Sequence, residues 1–395
     1  MAPAHARFLR GPVRVQGAPL MFSAVEYGYM ARALELAALG LYTTDPNPRV
    51  GCVLVRDGCV VGEGWHRRAG EPHAEVRALR AAGADARGAS AYVTLEPCCH
   101  LGRTPPCTDA LVEAGVAAVV AAMTDPNPRV AGRGVERLRA AGITVRTGLL
   151  EDRARALNPG FARRMESGRP FVRFKSAMSL DGRTALASGF SQWITGAAAR
   201  ADVQRLRARS SAIMVGVDTA LADDPSLTVR LTPVELGLEP DLPSPQPLRV
   251  VVDSRLRLPP AARMIGLPGR TLVATVTDQG AAGSALAQRG VELVALPGGD
   301  GRVDLAALLT FLGRREINEV LLEGGSVLGG AMLRAGLVDE FVLYLAPHLL
   351  GDAGRGLVHL PGLQSMDERI GLEILDVRAV GRDWRIVARP GVAPS

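Results

Sequence analysis

Short apolar runs of strand length alternate with helix-length segments along most of the chain, which leaves few architectures beyond helices packed on a largely parallel sheet. Residues 24–39 place Met30, Ala33, Leu34 and Ala37 at helical spacing, with Gly40 at the stop. VGCVLV (50–55) and CVVGEG (59–64) flank an Asp57-Gly58 turn and read as a hairpin. Helices after Pro72, after Pro105-Pro106 and near 133–141 then alternate with strands at 90–95, 116–123 and 143–148. The expected product is an α/β/α sandwich around a mostly parallel sheet. From 149 to 170 the apolar period lapses in a stretch rich in Pro, Gly and charge, so the boundary falls there and gives domains 21–165 and 168–395. A second α/β alternation follows, with strands at 170–178, 212–216, 248–253, 271–276, 318–325 and 340–347. Its helices read at 197–209, 303–314 and 326–335, with a proline-rich connecting loop at 231–247. Two cores also suit a length of 395 residues.

Composition removes several classes of function. The longest apolar stretch, 110–123, is interrupted by Glu113, so no membrane span is expected. Five cysteines, an odd number in so long a chain, do not make a disulfide framework and point to a reducing, cytoplasmic compartment. Residues 1–20 hold three Arg and three Pro without an apolar core, which reads as a disordered leader rather than a secretory signal. Lys175 is the single lysine among 46 basic residues, so the Gly-Lys-Ser/Thr of a phosphate loop is absent. A net charge of +6 interspersed with acids, and 4% aromatics, give no basic stripe that would call for nucleic acid.

The chemistry concentrates in H-A-E at 73–75 and P-C-C-H-L-G-R-T-P-P-C at 97–107. His73 and Cys107 each follow proline into a helix, where backbone N–H groups favour an anionic ligand and a lowered thiol pKa. One imidazole and two thiolates suffice to hold Zn²⁺ with a fourth position left for water, whose pKa the metal lowers toward ~7. Glu75, two residues from His73, can then shuttle protons without binding the metal. Adjacent Cys98 and Cys99 point in different directions and do not share one ion, and a closed site that adds His100 is the competing arrangement. Cys52 and Cys59, in apolar hairpin strands, read as core. The segment TDPNPRV occurs at 44–50 and again at 124–130, marking two tight Asn-Pro turns that each leave a strand or sheet edge.

No G-x-G-x-x-G occurs in the second half. VLLEGG (320–325) runs instead into SVLGGAML, a glycine-rich strand-to-helix turn that suits a pyrophosphate or simply tight packing. Trp193 reads as core, and Lys175 marks where a compact, titratable ammonium would serve chemistry. Lys175 and Ala177 share one face of their strand.

H-x-E followed by P-C and a further Cys matches the pattern of zinc nucleobase deaminases, except that Cys98 and Cys107 are nine positions apart rather than three. From about 22 to 390 the chain resembles the bacterial bifunctional deaminase–reductases of riboflavin biosynthesis. NPRVGCVLV (47–55), HAE (73–75), TLEPCCHLGRTPPC (94–107) and TDPNPRVAGRG (124–134) carry the likeness in the first half. SLDGRTA (179–185), SGFSQWIT (188–195), LADDPSLTVR (221–230) and EGGSVLGGAML (323–333) carry it in the second. The long cysteine spacing is that family's pattern. The resemblance implies a cytidine-deaminase-like α/β/α sandwich followed by a dihydrofolate-reductase-like α/β domain. It implies one Zn²⁺ on His73, Cys98 and Cys107, with Glu75 catalytic. It implies NADPH against Ala177, Trp193, Thr219, Asp223, Ser254 and the run Gly325, Ser326, Val327, Leu328, Gly329, Gly330 and Ala331. With Ala177 beside the cofactor, Lys175 becomes the candidate proton donor for the reduction, with Asp223 its rival. A phosphorylated pyrimidine would meet Ser191, Arg207, Leu227, Arg230 and Glu323, the two arginines suiting its phosphate. Two other readings compete: a nucleic-acid deaminase, which leaves the second half without a purpose, and a zinc-stabilised scaffold, which leaves Glu75 without one. The sequence leaves a homo-oligomer open.

Overall fold

The computed structural model describes residues 22–101, 105–277 and 280–391, so the leader 1–20 lies outside the described residues. The first domain opens with α1 (Ala24–Ala38), whose start is fixed by a reciprocal cap between Ser23 and Glu26. Strands β1 (Gly51–Arg56) and β2 (Cys59–Trp65) form the expected hairpin. Then come α2 (Ala74–Ala82), β3 (Ser90–Val93), α3 (Cys107–Ala114), β4 (Ala118–Ala121), α4 (Arg133–Ala140) and β5 (Thr144–Thr147).

The sheet runs β2-β1-β3-β4-β5, and β1 is antiparallel to both of its neighbours. Parallel pairing is therefore confined to β3, β4 and β5, a correction to the mostly parallel sheet expected, because the hairpin inserts β1 the other way up. Alternation along β1 builds the sandwich: Cys52 and Leu54 pack with α2, α3 and α4, while Val53 and Val55 pack with α1.

Residues 149–170 are not the irregular linker the sequence suggested. They form α5 (Glu151–Leu157) and α6 (Pro159–Ser167), and Ala154 and Phe161 complete the α1 face of the first core. Pro159 occupies the first turn of α6, and Gly168 closes the helix at φ 70°. The residues that look like linker punctuation are helix caps.

The second domain contains β6 (Phe171–Ser179), β7 (Arg183–Ala185), α7 (Ala197–Arg209), β8 (Ala212–Gly216), α8 (Val217–Asp223), β9 (Leu248–Val252) and β10 (Thr271–Thr275). It continues through α9 (Ala281–Gln288), β11 (Glu292–Ala295), α10 (Leu305–Arg314), β12 (Glu319–Leu322), α11 (Ser326–Arg334), β13 (Glu340–Ala346), β14 (Arg355–Gly356), β15 (Leu372–Val380) and β16 (Asp383–Pro390). The main sheet runs β11-β10-β9-β8-β12-β6-β13-β16-β15, parallel from β11 to β13 and antiparallel in the last two pairings. Helices α10 and α11 cover one face through Leu308, Leu312 and Met332, and α7, α8 and α9 cover the other through Val203, Ala220 and Leu286. Burial on both faces accounts for the uninterrupted apolar strands. Among the described residues no helix is long and apolar enough to cross a membrane.

Candidate active sites

Helix α2 can lie against β2 because Gly64 has no side chain: a Cβ there would stand 2.5 Å from the Ala74 carbonyl oxygen and from Ala78 N. That seat delivers His73 as the N-cap of α2 and Glu75 to its first turn. Cys107 begins α3 behind Pro106, and Cys98 follows β3 on the Glu96-Pro97 turn. The three side chains converge. His73 Nδ1 lies 3.2 Å from Cys107 Sγ and 3.6 Å from Cys98 Sγ, and the ligand atoms of all three lie within 4.8 Å of one another. Two zinc ligands at ~2.0 and ~2.3 Å with a tetrahedral angle stand ~3.6 Å apart, so the donor set and its spacing fit zinc. Among the described residues the cluster consists of His73, Cys98 and Cys107, without Cys99 or His100.

The electrostatics suit a cation. Hydrogen bonding with Cys107 and His73, acting against burial, holds the Cys98 thiol well below its ordinary range. The first amide of α3, Cys107 N, also donates to Cys98 Sγ at 3.3 Å. Burial raises the Glu75 carboxyl, and its Oε2 has no hydrogen-bond partner among the described residues. A buried carboxyl beside the cluster but outside it can carry a proton.

Sequence reasoning missed the residues that brace this cluster. Glu96 accepts four backbone N–H bonds, from Asp125, Gly132, Gly134 and Val135, and so locks the second TDPNPRV copy and the start of α4 beside Pro97. Gly134 is required for that closeness, since a Cβ would fall 2.2 Å from the Pro97 carbonyl oxygen. The first copy brings Asn47 Nδ2 to 3.0 Å from His66 Nε2, and the His66 ring packs edge-on against His73 at 5.1 Å. Burial pushes His66 down to about 4, so its ring is neutral near pH 7. The repeat was the signal: it places one Asn-Pro turn on each side of the centre. Cys52 is core as expected, but Cys59 is exposed because it opens β2 at the hairpin turn.

In the second domain Ala177 lies near the end of β6, Glu323 just past β12, Thr219 in the first turn of α8 directly after β8, and Ser254 just past β9. These four strands are adjacent and parallel, so the residues gather at the carboxyl edge of the sheet, where open α/β sheets bind ligands. Gly325 caps α11, whose N-terminal amides open toward the same edge, and a Cβ on it would stand 3.3 Å from Thr219 Oγ1. Ser326 and Leu328 are partly buried, Val327 is exposed and Ala331 lies partly buried farther along α11. Asp223 is exposed at the end of α8, where partial desolvation still raises its carboxyl. Ser191 is partly buried and Ser254 Oγ accepts a bond from Val303 N. A helix N-terminus and small residues along one sheet edge fit the phosphates of a dinucleotide.

Several expectations need correction. Trp193 is 67% exposed rather than core, with the Arg200 guanidinium 4.8 Å over its ring. Gly329 and Gly330 are packing residues: a Cβ on the first would meet Phe174 at 2.6 Å and on the second the His359 carbonyl oxygen at 2.1 Å. The Leu227 side chain is in the core, so only its main chain can face a ligand. Arg207 spends both arms of its fork on Glu323, Nε to Oε1 at 2.6 Å and Nη2 to Oε2 at 2.9 Å. Arg230 is exposed. The proton-donor candidate Lys175 is not among these corrections: it lies on β6, between β12 and β13, and burial lowers its pKa while Glu323 opposes that shift. Burial alone would raise Glu323, but Arg207, Lys175 and Arg230 hold it ionised, so three cations surround one carboxylate.

Residues 170–386 match the RibD C-terminal domain family, and residues 25–123 match the cytidine and deoxycytidylate deaminase zinc-binding region. The chain is 52% identical over 358 residues to the riboflavin biosynthesis protein RibD of Escherichia coli, covering 90% of this chain and 96% of that one. It is 46% identical over 374 residues to the Haemophilus influenzae protein of the same name, covering 94% and 99%. Among solved structures, Acinetobacter baumannii RibD (form 1) superposes with a TM-score of 0.85 at 46% identity, covering 93% of this chain and 99% of that one. A diaminohydroxyphosphoribosylaminopyrimidine deaminase/5-amino-6-(5-phosphoribosylamino)uracil reductase from Thermotoga maritima superposes at 0.81 with 34% identity, covering 93% and 99%.

Proposed function

The chain belongs to the RibD family of bifunctional riboflavin-biosynthesis deaminase–reductases, and on that premise we propose how its own residues divide the work. Domain 21–165 hydrolytically deaminates 2,5-diamino-6-ribosylamino-4(3H)-pyrimidinone 5′-phosphate. Domain 168–395 then reduces the ribosyl side chain with NADPH to give 5-amino-6-(5-phospho-ribitylamino)uracil. The observation that carries the first assignment is the convergence of His73, Cys98 and Cys107 beside the buried Oε2 of Glu75, which has no hydrogen-bond partner among the described residues. His73, Cys98 and Cys107 would hold a zinc ion, which would supply Lewis acidity to activate water near pH 7. Glu75, its affinity for protons raised by burial, would accept the proton of the attacking water and pass it to the departing ammonia.

In the reductase domain, NADPH supplies hydride. The α11 amides and Thr219 would hold its phosphates, and Trp193 would offer an exposed ring for stacking. Ser191, Arg230 and the main chain of Leu227 receive the substrate, with the exposed guanidinium of Arg230 meeting its phosphate. Lys175, on the same strand face as Ala177 and beside Glu323, donates the proton that accompanies reduction. The enzyme works in the cytoplasm and takes no nucleic-acid partner.

The test follows ammonia release and NADPH consumption separately with purified protein and the diaminopyrimidine phosphate. Glu75→Gln should abolish the first by 10²-fold or more, about what loss of a general acid–base costs, while zinc stays bound and pre-deaminated substrate is still reduced. Loss of zinc from that variant would make Glu75 a ligand. Lys175→Met should slow reduction alone, and wild-type reduction by it would pass the donor role to Asp223.

A further inference from the structure

The segment 44–50 stands between the two halves and is held from both. On the reductase side, Asn318 Nδ2 donates to Asp45 Oδ1 at 2.9 Å and to the Pro46 carbonyl oxygen at 2.8 Å, and Ser211 Oγ donates to Asp45 Oδ1 at 3.0 Å. Arg49 Nη1 reaches Glu319 Oε1 at 3.0 Å, with 8% and 2% of the two side chains exposed. Helix α6 closes tightly on the same spot, since a Cβ on Gly160 would fall 2.7 Å from the Asn318 carbonyl oxygen.

Between these anchors Asn47 faces the other way, toward His66 at 3.0 Å. With Asn47 Nδ2 donating to His66 Nε2, the ring hydrogen sits on Nδ1 and faces the Pro72 carbonyl oxygen at 3.4 Å. His66 also donates its backbone N–H to the Val50 carbonyl at 2.9 Å and packs against the His73 ring. An unbroken series of contacts therefore runs from the first residues of β12, through 44–50 and His66, to Pro72 and His73.

We propose that Asn318 and Glu319, which belong to the reductase half, are positioning residues for deamination: they hold 44–50 so that His66 seats the His73 imidazole. Neither touches the reacting atoms. The proposal rests on the assignment of deamination to the His73, Cys98 and Cys107 centre. Simple adhesion between two domains would require only that the halves stay together. Positioning requires that releasing this segment harm one reaction and spare the other.

The experiment uses the full chain loaded with zinc, with the variants Asn318→Ala and Asp45→Ala and their combination. Each single variant should lower kcat for deamination about tenfold, the scale of one or two lost hydrogen bonds, with KM within twofold. The double variant should be no worse than the more affected single one, because both remove the same strap. Zinc should remain at one per chain, and reduction of pre-deaminated substrate should stay within twofold of wild type. Deamination within twofold of wild type in both single variants overturns the proposal, as does a parallel fall of both activities, or effects that simply multiply. If Asn318→Ala fails to fold, Asp45→Ala, at an exposed position, decides the matter alone. Ammonia release by the wild type is measured first, so failure of the deaminase assignment is a separate result from failure of the strap.

Discussion

Arg207 and Glu323 meet at two points, 2.6 and 2.9 Å, at the carboxyl edge of the second sheet, and Arg207 Nη1 also reaches the Thr228 carbonyl at 3.1 Å. A guanidinium so engaged is set up to orient Glu323 rather than to receive a phosphate, which leaves that role to exposed Arg230. Arg230→Ala should raise the reductase KM for the phosphorylated substrate about tenfold with little change in kcat. Arg207→Ala should instead strand a buried carboxylate and cost about 3 kcal/mol of stability. Steady-state kinetics and urea unfolding of the two variants separate these outcomes.

The cluster makes the three neighbouring cysteines unequal. Cys98→Ser and Cys107→Ser should each lose most of the bound zinc, because each removes a thiolate from the converging set. Cys99→Ser should keep it. Metal analysis after dialysis checks this, and equal loss from Cys99→Ser would reverse the ligand choice.

Preference for NADPH over NADH should depend on Arg255 more than on Arg257. Both follow β9 beside Ser254, but Arg257 Nη2 is 2.6 Å from Asp218 Oδ1, whereas Arg255 is exposed and makes no ion pair among the described residues. Arg255→Ala should raise the NADPH KM roughly tenfold and leave NADH use unchanged, a loss expected for a guanidinium paired with the ribose 2′-phosphate. Initial rates with both cofactors decide it, and equal use of both by the wild type would refute the selectivity.

Acid should weaken the junction between the halves in a defined direction. Burial alone would raise the pKa of Glu319, but Arg209, Arg49 and Arg173 hold it far below the ordinary carboxylate range. A depressed native pKa adds stability above the unfolded value of ~4.3 and loses it progressively as pH falls below that. Glu319→Gln should therefore cost about 3 kcal/mol at neutral pH, and its gap from wild type should narrow on acidification. Urea midpoints of both proteins, metal-free, at pH 7 and pH 3.5 measure the gap. One that does not change with pH would show that Glu319 is not the ionised partner of these arginines.

The first domain was readable because β1, β3 and β4 are short apolar runs buried on both faces, and because α2 and α3 each follow a proline, Pro72 and Pro106. Run length then separates strand from helix, and two of the three ligand residues, His73 and Cys107, stand at helix starts. The reading failed where one residue type serves opposite ends. Pro159 and Gly168 mark a linker or cap a helix according to whether Phe161 has a core to enter, and only the fold supplies that core. Strand β15 went unread for another reason: eight of its nine residues are exposed, so burial imposes no alternation on it. Trp193 and Cys59 were assigned inward by residue type, though both are exposed. The engagement of Arg207 with Glu323, 116 residues away in the chain, left no local trace at all.

Strand β12 is four residues long, with Asn318 and Glu319 at its entrance and Glu323 at its exit. Chain severed near residue 168 would leave a reductase fragment whose Glu319 faces water on the side where Arg49 had been, and a deaminase fragment with Arg49 similarly bared. Each cut face would bare one partner of the Arg49–Glu319 pair, whose attraction in trans would weaken as salt increases. Covalent fusion spares the molecule that search, holding two catalysts of successive steps together at any concentration of the protein.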